Sequence, residues 1–247
     1  MVVGSKMNAY INLGWLLNWQ INNDWHLTAG VDVTHFSNGN THYPNAGVNT
    51  VGGRVSLIRT FGTHSYRTSV ETRRKARAEI ERYFSYDVVL YGATRRKGVI
   101  WPDDRVLVPG AFGVAGIHIN PMYNLNACFR AGISLDAQYD ESANIKDHVV
   151  GDDRSAENIR FYRPPFREQF GVGLSLRAEL VMPIFSINLG VGHNVFYQGE
   201  DLKGFYQIAA LKTSITRRLF LHVGYQLRNF KDPNNLMLGL GYRFNGR

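Results

Sequence analysis

The chain has 247 residues and a formal net charge of +8, with 44% hydrophobic and 13% aromatic residues, 25 Gly and 8 Pro. This mix is too apolar and too aromatic for a disordered chain, and no run reaches the roughly 18 to 20 consecutive apolar residues of a membrane-spanning helix. Cys128, the single cysteine, excludes an internal disulfide framework and every multi-cysteine metal site. Its neighbours place it in a strand, in a structural role. A mean hydropathy of −0.23 suits a soluble protein, but also a transmembrane barrel, in which only alternate residues meet lipid.

The chain opens on Met1-Val2-Val3-Gly4-Ser5-Lys6, without the ordered basic, apolar and small-residue regions of a secretory signal. Period-two alternation then begins. Ala9, Ile11, Leu13, Trp15, Leu17 and Trp19 share one face of a first strand, and Tyr10, Asn12, Gly14, Asn18 and Gln20 the other. After the turn Asn22-Asn23-Asp24, Trp25, Leu27, Ala29, Val31 and Val33 oppose His26, Thr28, Gly30, Asp32 and Thr34. A long connection over residues 38–48 leads to a third strand, whose apolar series is Asn49, Val51, Gly53, Val55 and Leu57. Residues 62–84, with the basic run Arg73-Arg74-Lys75-Ala76-Arg77, read as a connection containing a short helix. Beyond it the same alternation returns in Ala127/Phe129/Ala131/Ile133/Leu135, Phe185/Ile187/Leu189/Val191, Leu219/Leu221/Val223/Tyr225 and Leu236/Leu238/Leu240/Tyr242/Phe244.

Alternation alone does not say whether the apolar face points into a core or out into lipid. Three features favour outward. The opposite faces are rich in small residues (Gly171, Gly173, Ser175; Ser186, Asn188, Gly190, Gly192), as a crowded polar lumen requires. Aromatics gather near strand ends (Trp15, Trp19, Trp25, Tyr197, Tyr225, Tyr242, Phe244), as in an interfacial girdle. Short turns at Asn22–Asp24, Pro121–Asn124, Met182-Pro183 and Arg217-Arg218 alternate with long connections at 38–48, 94–109, 139–165 and 198–204, the rhythm of periplasmic turns and external loops. The fold class expected is therefore all-β, an antiparallel transmembrane barrel of the bacterial outer membrane, with a soluble lipocalin-like barrel as the alternative. About eleven strands are visible. Single-chain barrels close with an even number, so the reading expects a chain truncated at its N-terminus. Three segments result: 1–61, three closing strands with the site described next; 62–84, a basic periplasmic connection; and 85–247, about eight further strands. A single larger barrel and a split arrangement are both open, the single barrel being preferred.

The basic runs at 73–77 and 95–97 lack interleaved stacking aromatics, so nucleic acid is not an expected partner. They read as solvated connections, or as sites for anionic lipid headgroups. Asp32 and Asp136 point to the lumen, and His193 reads as a girdle residue. No zinc spacing, carboxylate pair or Gly-rich phosphate loop stands out. No metal or cofactor is expected.

The chemistry-bearing segment is Thr34-His35-Phe36-Ser37-Asn38-Gly39. By parity His35 and Ser37 continue the series Ala29, Val31, Val33, so both face lipid, where unsatisfied polar groups are costly. Hairpin pairing brings Asn49 beside them. Ester hydrolysis needs a hydroxyl nucleophile, an imidazole to take its proton and a group that holds the imidazole tautomer. Ser37, His35 and Asn49 fit those roles in that order. Asn38, Gly39 and Asn45 in the connection supply amides and flexible backbone for an oxyanion, and His42 and Tyr43 are loop side chains within reach of a substrate. The plainer reading is two interfacial polar residues bonding headgroups and water.

His35-Phe36-Ser37-Asn38, followed by Pro44-Asn45-Ala46-Gly47-Val48-Asn49, resembles the signature of the lipid A deacylase family, also called acyloxyacyl hydrolases. The resemblance covers about residues 6–61. It implies an outer-membrane barrel that removes an ester-linked acyl chain from lipid A of lipopolysaccharide, without a cofactor. It also implies His35 as base, Ser37 as nucleophile, and Asn38 and Asn45 in the oxyanion region. The family's glutamate falls on Asn49, a departure. The alternative is a non-enzymatic barrel, porin-like or structural, with a decayed site, and a phospholipase using the same pair is a third reading.

Overall fold

The computed structural model describes residues 8–38, 47–61, 82–100, 105–151, 159–229 and 232–245. The expected connection helix and first basic run, and the loop residues Gly39, His42, Tyr43 and Asn45, lie outside these. The chain forms two compact units.

The first unit is a three-stranded meander of β1 (Ala9–Gln20), β2 (Trp25–Ser37) and β3 (Val48–Arg59), in the order β1-β2-β3. β1 pairs β2 from Ala9↔Ser37 to Gln20↔His26, and β2 pairs β3 from Trp25↔Arg59 to Phe36↔Val48. The Asn22 side chain closes the first turn by accepting the amides of Asp24 (3.0 Å) and Trp25 (2.9 Å), which is why asparagine suits that position. Directly opposed residues share a face. One face therefore carries Leu13, Val33 and Val51, with Trp15, Val31 and Gly53 in the next row. The other carries Asn12, Thr34 and Asp32, where the Asn12 amide donates to Asp32 and Thr34 at 2.8 Å each.

The second unit is a closed antiparallel barrel. Its strands are β4 (Tyr83–Arg95), β7 (Phe112–Asn124), β8 (Phe129–Asp140), β11 (Phe170–Val181), β12 (Phe185–Phe196), β13 (Phe205–Ser214), β14 (Leu219–Arg228) and β15 (Asp232–Phe244). β4 pairs β7 on one edge and β15 on the other, the latter from Leu238↔Gly92 to Phe244↔Tyr86. Both edges of β4 are thereby used, and the ring closes with eight strands, without β1–β3. This corrects the preferred single larger barrel. The eleven long strands are present, but divided three and eight.

Outside the ring stand Leu90, Ile133, Leu176, Leu189, Leu221 and Leu240, all exposed; inside lie Asp87, His118, Asp136, Glu179, Asn188, Lys212 and His222, all buried. Apolar side chains on a closed barrel's exterior and charged ones within are the arrangement that lipid demands. The interior ions pair across strands. Lys212 donates to Asp87 (2.9 Å) and Glu179 (2.6 Å), Arg243 holds Asp87 through two nitrogens (2.7 and 2.9 Å), and Arg130 pairs with Glu179. Higher up, Asp136 accepts from His118 (2.7 Å), Arg177 (2.8 Å), Ser175 (2.6 Å) and Tyr206 (2.6 Å).

One end of the ring has the short turns after β7, β11 and β13; the other has the long connections after β4, β8 and β12, as the rhythm requires, but also the three-residue β14–β15 link at 229–231. The long end contains two small ladders that the sequence did not reveal, β5 (Gly98–Ile100) with β6 (Arg105–Leu107) and β9 (Val149–Val150) with β10 (Arg160–Phe161). They are too short for periodicity to register. A helical turn, α1 (Phe166–Gln169), precedes β11. Val99, Val108 and Ile145 form a small buried cluster there, backed by Phe112 and Phe161.

Three further expectations are corrected. Residues 121–124 belong to β7, and the turn falls at 125–128, where the amides of Leu125 and Asn126 both reach the Phe129 carbonyl (3.0 and 3.3 Å). Pro121 has no N–H to donate, and beside it the β7–β8 ladder is interrupted between Ile119↔Leu135 and Met122↔Gly132 with its register unchanged. Cys128 lies in that turn and is exposed. The run Arg95-Arg96-Lys97 is not simply solvated. Arg95 is buried against Asp140 (2.9 Å), and Lys97 pairs with Asp201 (2.7 Å). Burial pushes the Asp201 carboxyl up, but Lys97 beside it outweighs this and holds it below the usual range.

Candidate active site

Alternation along β2 puts His35 and Ser37 on one face two residues apart, and the β2–β3 register sets Asn49 directly opposite His35. The side chains meet as those positions dictate. The His35 Nδ1–H donates to Asn49 Oδ1 at 2.7 Å, and the Ser37 hydroxyl stands 3.0 Å from His35 Nε2. With the proton held on Nδ1 by an oxygen that can only accept, Nε2 carries the lone pair and the serine O–H donates to it. A hydroxyl, an imidazole and an orienting acceptor thus lie in one hydrogen-bonded line, the arrangement of an activated nucleophile.

The surroundings are apolar. Along β2 the same face continues through Val33 and Val31, and across the sheet His35 is flanked by Ile11 of β1; Ile11, Val31 and Val33 are each more than half exposed. Ser37 itself is buried, 6% exposed, as is Asn38 at 4%. Among the described residues, then, the structure brings together His35, Ser37 and Asn49, and places Asn38 next to them in the chain. Gly39 and Asn45 lie outside the described residues.

Gly47 was not singled out from the sequence. Its φ of +66° is left-handed, a conformation that costs residues with a Cβ about 1 to 2 kcal/mol. A Cβ there would also stand 3.4 Å from His35 Cε1 and 3.9 Å from Ser37 Cβ. The glycine turns the chain into β3 while lying against the imidazole edge. In the sequence it appears only within the segment Pro44-Asn45-Ala46-Gly47-Val48-Asn49, with no role of its own.

Among the described residues no group of three or more His, Cys, Asp or Glu side chains is placed to hold a metal. His193 is exposed on β12 with its ring edge-on to Phe205 (5.0 Å). Asp136 lies inside the barrel as expected.

A closed ring with a lipid-facing exterior and an ion-paired interior defines an outer-membrane β-barrel protein, and the bacterial outer membrane is its location. The chain belongs to the acyloxyacyl hydrolase family: the family model for the acyloxyacyl hydrolase C-terminal domain matches residues 84–246, about two thirds of the chain. A second model, lipid A 3-O-deacylase (PagL), matches residues 3–57, the segment with the Ser–His pair. The family is one of hydrolases acting on lipid A.

A comparison with curated proteins returns no match. Among solved structures, the attachment invasion locus protein Ail of Yersinia pestis aligns at 18% identity over 65% of this chain and 98% of its own, with a TM-score of 0.36. The monoaromatic hydrocarbon channel CymD aligns at 10% identity over 96% of this chain and 73% of its own (TM-score 0.27). The toluene transporter TodX of Pseudomonas putida aligns at 9% over 95% and 68% (TM-score 0.25).

Proposed function

We propose that the chain is a lipid esterase that removes an ester-linked acyl chain from lipid A, with Ser37 as nucleophile and His35 as general base. As Ser37 Oγ attacks the ester carbonyl, its proton passes to His35 Nε2, and Asn49 Oδ1 holds the imidazole through Nδ1–H. The imidazolium returns that proton to the departing sugar-side oxygen, leaving an acyl-serine. Water, deprotonated by the same nitrogen, then releases the fatty acid. Asn38, Gly39 and Asn45 are assigned from the sequence to steady the oxyanion. Lipid A or lipopolysaccharide is the partner, and the mechanism calls on no cofactor.

The observation that supports this most is the Ser37–His35–Asn49 line on the apolar face of the β1–β3 meander. A water-facing esterase would have to extract its acyl ester from the bilayer, whereas this one meets it in place. The rival reading is a structural barrel with a decayed site, favoured by Asn49, which cannot neutralise an imidazolium as a carboxylate does.

The two separate on one variant. Purified protein in micelles, incubated with lipopolysaccharide, should release fatty acid detectable by mass spectrometry. Ser37→Ala should lower the rate by about a thousandfold or more. Equal release by both proteins removes Ser37 from the reaction.

A further inference from the structure

Inside the eight-stranded ring, His118 of β7 and His222 of β14 are both buried, and their ring centroids stand 5.9 Å apart. Asp136 takes the Nδ1 side of His118 at 2.7 Å. His118 Nε2 has no hydrogen-bond partner among the described residues, and at His222 neither ring nitrogen has one. Buried polar atoms are nearly always paired, because leaving one unpaired is costly. Adjacent imidazoles with three such atoms are better suited to a ligand than to packing. Gly224 leaves room beside them. A Cβ there would stand 2.9 Å from His222 Nε2 and 2.9 Å from the Met237 methyl. Met237 of β15 lies opposite Gly224 in the ladder and is fully buried. It packs in one cluster with Tyr91, whose ring stacks on His118 at 4.7 Å.

We infer that His118, His222 and Met237 hold a single cuprous ion in the barrel. An imidazole nitrogen sits about 2 Å from a bound first-row metal, so two rings that share one ion have centroids about 5 to 6.5 Å apart. The observed separation falls in that range. The donor set selects the ion. Imidazole with thioether is soft and suits Cu(I). Structural zinc asks for four donors, and among the described residues no third His, Cys, Asp or Glu completes a metal-holding group. Asp136 orients His118 from behind, as carboxylates do for metal-bound histidines. Arg177 already pairs with that carboxylate at 2.8 Å, which leaves little spare negative charge and makes a monovalent ion less costly to bury than a divalent one. A cavity lined by Tyr91, His118, Tyr206 and residues 201–204 reaches His118 from the end with the long connections, and gives the ion a way in. The bound ion would tie β7 to β14 and β15 across the lumen, independently of Ser37.

The test is competition for copper. The purified full chain in micelles, with ascorbate and without oxygen, is titrated into the coloured Cu(I)–bicinchoninate complex. Wild type should withdraw one equivalent. His222→Phe keeps a ring of similar shape and removes both nitrogens. It should lower the affinity by about a hundredfold or more, since even outer-shell partners are worth about ten- to a hundredfold. Met237→Leu should weaken binding less, by about tenfold, and Ser37→Ala should leave it unchanged. His222→Phe should keep the heat-dependent gel mobility of the folded barrel, because it discards two unsatisfied atoms. X-ray absorption of the copper-loaded wild type should show imidazole nitrogen and one sulfur around the metal, and this spectrum decides the matter even if a variant fails to fold. Failure of wild type to withdraw copper, equal binding by His222→Phe, or copper without imidazole neighbours overturns the site. Zinc held by these residues in preference to Cu(I) overturns the choice of ion.

Discussion

His35 gives its Nδ1 proton to an amide oxygen rather than to a carboxylate. Asn49 therefore fixes the tautomer but does not offset the charge that His35 acquires when Ser37 attacks, and this is where the family's glutamate would act. Asn49→Glu should raise kcat by about tenfold, while Asn49→Ala, which loses the orienting acceptor, should lower it by tenfold or more. Hydrolysis of a soluble p-nitrophenyl ester reads both, and an unchanged rate in the alanine variant would show that the residue does not orient the imidazole. The three side chains were legible in the sequence because strand parity and hairpin pairing are local rules. Gly47 was not, since a left-handed φ, at a position where an added Cβ would come within 3.4 Å of His35, leaves no mark in periodicity.

At the scale of the strand, faces were legible and partners were not. The series Phe185/Ile187/Leu189/Val191 and Leu236/Leu238/Leu240/Tyr242 point outward as read. That Lys212, Asp87, Glu179 and Arg243 converge could not be read, because residues 87 and 243 come from opposite ends of the barrel sequence and meet only through β15–β4 pairing. Trp15 was read as a girdle residue but lies mid-strand in β1, because aromatic character alone does not mark depth along a strand. The convergence makes a stability prediction. Lys212→Met leaves Asp87 and Glu179 without the ammonium they share, and stranding buried charge costs about 3 to 5 kcal/mol. Urea titration in micelles, followed by the heat-dependent gel mobility of the barrel, should show that loss. An unaltered midpoint would mean the remaining Arg130 and Arg243 suffice.

For the molecule as a whole, the filled interior argues against transport. Side chains from all around the ring occupy the lumen of the eight-stranded unit, and eight strands enclose little more than side chains can fill. The expected result in planar bilayers is no steady ion conductance at any Ser37 genotype. Open-channel steps would restore the porin-like alternative. The division into a meander and a ring escaped the sequence for a related reason: alternation marks each strand but not the edge at which a sheet turns back on itself.

The ion cluster around Lys212 also constrains how the ring is assembled. Until β15 meets β4, Asp87 is separated from Arg243 and Glu179 lacks part of its neutralising shell. A partly formed sheet entering the bilayer would carry those charges into hydrocarbon, where each is penalised by several kcal/mol. Insertion one hairpin at a time is thereby disfavoured, and the strands are expected to cross together, with closure at the β15–β4 seam as the committing event.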